Sequence, residues 1–373
     1  MTTKPIGIYI HIPFCVRKCN YCDFCSYPVS DFSNRNEYID CLCSEIESYS
    51  DREIEVDSIF FGGGTPSLLT NEEFDRIVST IRKTFVVLPH TEFTVEANPG
   101  TLDEEKIVSF VSLGVNRLSI GLQSIHDNEE KKLGRIHNYD DFVKVYTSAK
   151  KLGIQNINVD LMYGIPSQSM ESFEMTLRSV AELSPEHLSV YGLIIEEGTP
   201  FYDVRDRLDV PSEDIECDMY YLARDILSEL GYHHYEVSNY ARESYECRHN
   251  LKYWENDEFI GFGVSAYSYF EGERFGNSRD ISEYLSTDRE KYIARESVDK
   301  DSMAYEYVML HLRLARGFSL TEYRERFGRD FLIGREELVN SYVENGLMLL
   351  SDDRILLTDY GLYVSNTILT ELL

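Results

Sequence analysis

The chain has no long apolar run and little positive charge, and it has a single tryptophan. No stretch of its 373 residues approaches the roughly 18 apolar residues a membrane span needs. No signal peptide precedes the first strand-like segment. A cytoplasmic protein is expected from this, with at most peripheral contact to a membrane. Lysine and arginine number 36 against 65 acids, a net charge of −29. Binding a phosphate backbone draws on clustered cations, so nucleic acid is not an expected partner. The bland reading of the acidity is solubility.

What the chain does have is length for a large core and a repeating pattern. Apolar strand-like runs at Ile6–Ile12, Val56–Phe61, Glu92–Ala97, Arg117–Ile120, Asn156–Met162 and His187–Ile194 alternate with helical periodicity over 35–50, 71–85, 103–113, 138–152 and 171–183. Six βα repeats predict a parallel sheet with right-handed crossovers, read as an open, partial (β/α)6 barrel in an α/β fold. Residues 196–218 break the pattern with nine acids against two arginines. A helix near 214–230 follows, then a tyrosine-rich part with short strands at Tyr235–Ser238 and Gly263–Phe270. The tail predicts helices at 302–315, 319–327 and 334–345, a hairpin of Leu347–Leu350 with Ile355–Thr358, and a last helix. The expected division is therefore 1–212 for the barrel, 213–298 for an aromatic-rich α+β connection, and 299–373 for a winged-helix-like module. Residues 301–373 hold 12 acids, 7 arginines and no lysine, a balance that favours protein contact over DNA contact.

Eight cysteines are present, and in a reducing compartment clustered thiols read as metal ligands rather than disulfides. Cys15, Cys19 and Cys22 are spaced C-x3-C-x2-C directly after the first strand. Three thiolates so spaced can hold three irons of a [4Fe–4S] cube and leave the fourth iron open. The competing reading is a zinc site, with Cys25 as the fourth ligand that zinc requires. Cys41, Cys43 and Cys217 read as buried small hydrophobes. With Tyr21 immediately before the third cysteine, the segment resembles the C-x3-C-x-aromatic-C signature of the radical S-adenosylmethionine (SAM) family. That resemblance implies a [4Fe–4S] cluster on the three cysteines, SAM as ligand of the open iron, and a six-stranded partial barrel.

Gly62, Gly63 and Gly64 with Thr65 and Pro66 follow the second strand. A glycine run permits close backbone approach to a ligand, or simply a tight turn; it lacks the Gly-Lys-Ser/Thr of a P-loop. Glu96, Gln123 and Asp160 sit at or just beyond the ends of later strands. Parallel barrels gather their sites there, and each residue alone is equally a satisfied strand-end polar group. Carboxylates and amides suit ribose hydroxyls and an amine, and Arg135 suits a carboxylate. By resemblance to the coproporphyrinogen oxidase branch of the family, Tyr9, Gly63, Gly64, Thr65, Glu96, Gln123, Arg135 and Asp160 fall on SAM-contacting positions. Tyr21 of the signature is counted with them.

The only tryptophan ends His249-Asn-Leu-Lys-Tyr-Trp254. A histidine with aromatics four and five residues on could offer an axial imidazole and flat apolar surface to a macrocycle, or could be a hydrogen-bonded turn histidine amid packed aromatics. Cys247 is a rival ligand. The motif resembles the H-N-x-x-Y-W of the haem-chaperone members of the radical SAM family. The likeness implies haem as cargo, His249 as its ligand, and delivery to apo-haemoproteins such as respiratory cytochromes. The alternative is an oxygen-independent coproporphyrinogen III oxidase, a radical oxidative decarboxylase. Two features weigh against it: Phe24 stands where those oxidases carry an extra cysteine, and the chain begins eight residues before Tyr9, where they have a longer covering segment. A more open site suited to handing over a large ligand is expected.

Overall fold

The computed structural model describes residues 4–31, 34–288, 291 and 293–373. Its centre is the expected βα series: β1 (Ile6–Ile12), α1 (Arg35–Glu47), β2 (Glu55–Gly63), α2 (Asn71–Thr84), β3 (Val86–Ala97), α3 (Glu104–Ser112), β4 (Arg117–Gln123), α4 (Tyr139–Lys151), β5 (Asn156–Tyr163), α5 (Met170–Glu182) and β6 (His187–Gly192). Helix starts are set by local chemistry. Thr70 with Glu73, Asn138 with Asp141, and Ser169 with Ser172 form reciprocal caps that satisfy amide groups the first turn leaves free.

Strand alternation sorts the side chains into two layers. Ile6, Ile8, Ile10 and Ile12 of β1 enter the main hydrophobic core with Tyr38 of α1 and Phe74 of α2. The intervening Tyr9 turns the other way, stacking on Phe60 of β2 at 6.2 Å. The interior layer is polar: Glu92, Thr94, Arg117, Ser119, Asn158 and His187 are all buried. Each needs partners, and Asn158 shows how they are found, with its amide on Ser119 and Asp160 and its carbonyl oxygen 2.6 Å from His187 Nδ1.

The sheet is larger than the repeat count suggests. After α6 (Glu213–Glu229) come β7 (His233–Glu236) and β8 (Asn239–Ala241), then α7 (Arg248–Trp254), β9 (Phe259–Phe262), β10 (Tyr267–Phe270), β11 (Glu273–Gly276) and β12 (Ala294–Ser297). All join one open twelve-stranded sheet in the order β12-β11-β10-β9-β1-β2-β3-β4-β5-β6-β8-β7. β9 runs parallel to β1, pairing Tyr9 with Gly261, and makes a seventh parallel strand.

Three expectations need correction. The strand expected at Gly263–Phe270 is shorter, Tyr267–Phe270, because Gly263 at φ +100° opens the turn that leads from β9 into the antiparallel β10. The strand expected at Tyr235–Ser238 is the meeting of β7 and β8, which pair antiparallel. The last helix is split into Asp359–Tyr363 and Ser365–Leu372.

The C-terminal region has its own hydrophobic cluster. It runs α8 (Lys300–His311), a short strand at Phe318–Ser319, helices Leu320–Phe327 and Glu336–Glu344, the hairpin Met348–Leu350 with Arg354–Leu357, and the two last helices; the three strands form one small sheet. It joins the large sheet through Val237 N to Arg313 O (3.1 Å) and Ala315 N to Tyr235 O (3.0 Å). No helix among the described residues is long and apolar enough to cross a membrane.

Candidate functional site

The cysteine loop lies over the carboxyl ends of the strands. Phe14 and Cys15 pair with Tyr27 and Pro28, closing the loop at its base. Its far end is pinned by Asn20, whose backbone and side-chain N–H groups donate to the carbonyls of Leu133 (2.9 Å) and Lys132 (2.8 Å). Cys15, Cys19 and Cys22 then line one cavity of about 420 Å³. Burial raises the thiol pKa of Cys19 and pushes Cys22 up to about 11; at Cys19 the Arg135 guanidinium opposes that rise. Cys25 does not join them: its Sγ is 3.4 Å from the Arg279 carbonyl. Among the described residues no three His, Cys, Asp or Glu side chains are gathered to hold a single ion. A zinc site would need Cys25 as fourth donor beside the other three, and Cys25 stands outside the cavity they line. A cube, whose irons stand apart, suits three spread thiolates.

The glycine turn is stapled to this loop. Gly64 N donates to Ile12 O at 2.8 Å and Thr65 N to Phe14 O at 2.7 Å. Thr65 Oγ1 donates to Cys15 Sγ at 3.6 Å. A Cβ on Gly64 would stand 2.7 Å from the Phe14 carbonyl oxygen and 2.9 Å from that of Ile12. Only glycine allows that approach. Gly63, at φ +105°, donates its N–H to Glu96 Oε2 at 3.1 Å.

Glu96 and Asp160 face the same cavity from β3 and β5. Loss of hydration, and then the neighbouring Asp160 charge, push the Glu96 carboxyl up to about 8. Burial also raises Asp160. Gln123 ends β4 at φ +64°, an uncommon conformation for a residue other than glycine. Its amide donates to Tyr191 at 3.4 Å, while its buried Oε1 has no partner among the described residues. Such an orphaned acceptor in a cavity wall calls for a ligand donor. Arg135 is buried and tied down, with Glu130 at 3.0 Å, Asn98 Oδ1 at 2.8 Å and the Gly121 carbonyl at 2.7 Å.

Tyr21, Gly63, Gly64, Thr65, Glu96, Gln123, Arg135 and Asp160 thus line the cavity with the three cysteines. Tyr9 does not; it lies one layer deeper, 3.1 Å from His11 Nδ1. Asn98, Met162 and Tyr191 also line it. Sequence reading passed over these three, although their strand-end positions were the available signal.

His249 stands apart from this site. α7 sits at the amino-terminal end of the barrel, its first N–H groups capped by Glu92: Arg248 N and His249 N each donate to that carboxylate at 3.0 Å. The His249 ring is 1 % exposed, stacks on Phe60 at 5.3 Å, and is bonded at both nitrogens. Nδ1 is 2.9 Å from Ser58 Oγ and Nε2 is 2.8 Å from Tyr253 OH. Burial pushes its pKa down to about 3. Cys247 is fully buried, with Sγ 3.5 Å from Glu92 Oε1.

Comparison with known proteins gives this geometry a family. Residues 9–180 match the radical SAM superfamily and residues 298–364 the HemN C-terminal domain. The chain is 36% identical over 380 residues to heme chaperone HemW of Lactococcus lactis, covering all of this chain and 98% of that one. The chain belongs to the HemW family. A second HemW relative, from Bacillus subtilis, is 34% identical over 370 residues, with 96% of this chain and 97% of that protein covered. HemW of Escherichia coli is 39% identical over 266 residues, 70% of each chain. Coproporphyrinogen III oxidase (HemN) from Escherichia coli superposes with a TM-score of 0.88 at 22% identity, over 99% of this chain and 90% of that one. At that identity the likeness speaks for the fold.

Radical SAM membership implies a [4Fe–4S] cluster and SAM. The residues present fit both: three soft thiols on one cavity, a glycine-only approach beside them, and the orphaned Gln123 oxygen.

Proposed function

We propose that this protein is a cytoplasmic haem chaperone that carries a [4Fe–4S] cluster and SAM and delivers haem to apo-haemoproteins such as respiratory cytochromes. The observation that carries the reading is the end-to-end likeness to heme chaperone HemW of Lactococcus lactis. Phe24, 65 % exposed at the cavity rim, supports it against the oxidase alternative, since it stands where the oxidases carry a further cysteine.

In this reading Cys15, Cys19 and Cys22 hold the cluster. The Gly63–Thr65 backbone meets the methionyl end of SAM, and Arg135 its carboxylate. Glu96, Gln123 and Asp160 take the amine and ribose hydroxyls, and Tyr21 packs beside them. Cluster and SAM together supply one-electron reduction of a sulfonium. The chain's own residues do the binding work. Arg135 favours the thiolate form of Cys19, and Glu96 stays protonated near neutral pH until a cation arrives beside it. Tyr9 acts from beneath, holding Phe60 and His11 in place. Haem ligation by His249 would require the ring to leave Ser58 and Tyr253. Any contact with a membrane is peripheral in this reading.

The test pairs haem with porphyrinogen. Reconstituted protein is titrated with haem and offered an apo-cytochrome, and separately incubated with SAM, reductant and coproporphyrinogen III. Stoichiometric haem binding followed by transfer is expected. Catalytic turnover to protoporphyrinogen would sink the chaperone reading.

A further inference from the structure

Arg135 and His137 stand on a linker fixed at both ends. The short helix Asp127–Leu133 closes on Gly134 at φ +80°. Gly134 N donates to Lys131 O at 3.1 Å and Arg135 N to Glu130 O at 3.0 Å, the left-handed cap that stops a helix. On the other side Asn138, with Asp141, caps the start of α4. Between these two ends the Arg135 side chain is 5% exposed and His137 is buried.

A guanidinium offers five N–H donors in a planar fork. In Arg135 the edge made by Nε and Nη2 is taken. His137 Nε2 lies 3.2 Å from Nε and 2.7 Å from Nη2, so the imidazole bridges both nitrogens of that edge. Nη2 also donates to Asn98 Oδ1 at 2.8 Å and to the Gly121 carbonyl at 2.7 Å. Arginine only donates, so His137 Nε2 accepts and the ring hydrogen is on Nδ1. Burial, and then the Arg135 charge, push the His137 pKa down to about 3, which keeps that lone pair free of a proton.

Glu130 is the competitor. Its Oε2 stands 3.0 Å from Arg135 Nε, yet accepts no hydrogen bond from a described residue. Its other oxygen accepts from Ser124 N at 3.1 Å. A carboxylate is the stronger partner for a guanidinium fork and commonly takes it with both oxygens. Here a neutral imidazole holds the edge and the carboxylate is shut out. Nη1 is left with no oxygen or nitrogen partner among the described residues, while the guanidinium lines the cavity and acts on Cys19.

We propose that His137 is a positioning residue for the cluster site. By occupying the Nε–Nη2 edge it keeps Arg135 from closing on Glu130, and so reserves the Nη1 edge and the positive charge for the Cys19 sulfur and a ligand carboxylate. The proposal rests on the cluster-and-SAM reading.

Wild-type protein, His137→Met, His137→Gln and the double variant His137→Met with Glu130→Gln are reconstituted anaerobically. SAM affinity is measured by equilibrium dialysis, and the cluster's midpoint potential by redox titration followed by EPR. Methionine fills the space without a strong acceptor and frees Arg135 to pair with Glu130. SAM is then expected to bind about tenfold more weakly, the scale of one charge-assisted hydrogen bond. The midpoint potential should fall, because positive charge leaves the cluster. Glutamine keeps an acceptor oxygen for the fork, so its affinity should stay within about threefold of wild type. In the double variant the competing charge is gone, and SAM affinity should recover, which a mere packing defect would not show. His137→Met with wild-type affinity and potential would overturn the proposal, as would a double variant no better than the single one. If the methionine variant does not fold, His137→Gln decides: a tenfold loss despite the retained acceptor overturns it. Wild-type protein that holds no cluster or binds no SAM would overturn the underlying reading, and the proposal with it.

Discussion

Gly64→Ala tests how the cysteine loop is built. The added Cβ would meet three backbone atoms: Phe14 O at 2.7 Å, Ile12 O at 2.9 Å and Phe14 N at 3.0 Å. Real Cβ atoms hardly ever come under 3.0 Å, and backbone atoms held in a ladder cannot swing aside as a side chain would. The same residues make the bonds at stake, Gly64 N to Ile12 O and Thr65 N to Phe14 O. Overpacking of this kind costs about 1–3 kcal/mol. Because Phe14 adjoins Cys15, the displacement passes directly to the first thiol, and Thr65 loses its contact with that sulfur. The variant is therefore expected to unfold at lower denaturant by about that free energy, and to retain less than half the wild-type iron and sulfide after anaerobic reconstitution. Gly100→Ala is the control, since a Cβ there meets nothing within 4 Å; it should change stability by less than about 0.5 kcal/mol. A Gly64→Ala protein with wild-type stability and full iron would refute the argument.

Cys19→Ala should lower cluster content in the same anaerobic assay, and undiminished iron and sulfide would remove Cys19 from the ligand set. Glu96→Gln probes the raised carboxyl. The folded carboxyl binds its proton more tightly than the unfolded one, so wild-type stability falls as pH rises from about 4.5 to about 8. The glutamine variant lacks that slope, and parallel pH–stability curves for the two proteins would show that the carboxyl is not shifted. His249→Ala should destabilise the fold by about 2–4 kcal/mol, since it strips a partner from the Ser58 and Tyr253 hydroxyls and leaves a void beside Phe60. With the ring held by Ser58 and Tyr253, haem affinity of the folded variant should stay within threefold of wild type; a tenfold loss would make His249 the ligand.

Much of the barrel was legible because its signals are local. The helices that start after Thr70, Asn138 and Ser169 and the apolar runs of β1 to β6 fall where periodicity put them, within a few residues except at the start of β3, which begins at Val86 rather than Glu92. β9 was not legible. Its four residues, Phe-Ile-Gly-Phe, follow a helix with no repeat to announce them, and its pairing with β1 spans some 250 positions of chain. The turn at Gly263 likewise depends on a positive φ that composition permits but does not dictate.

The site divides along the same line. Spacing alone puts Cys15, Cys19 and Cys22 on one short loop, and a glycine run beside a strand end signals close approach. The strand-end rule gathers Glu96, Gln123 and Asp160 without coordinates, because parallel strands must all end on one side. Which polar residues reach the cavity is another matter. Tyr9 is held one layer below, level with Phe60 and Thr94 in the register of β1, β2 and β3, and Tyr191 arrives only through the register of β5 with β6. His249 is the sharpest case. As sequence it is a histidine with aromatics at useful spacing; in the fold, Ser58 and Tyr253 close on its two nitrogens. Residue type and spacing decide which chemistry a chain can offer. Whether a given atom is satisfied or left open is a property of neighbours distant in sequence, and only tertiary packing assigns them.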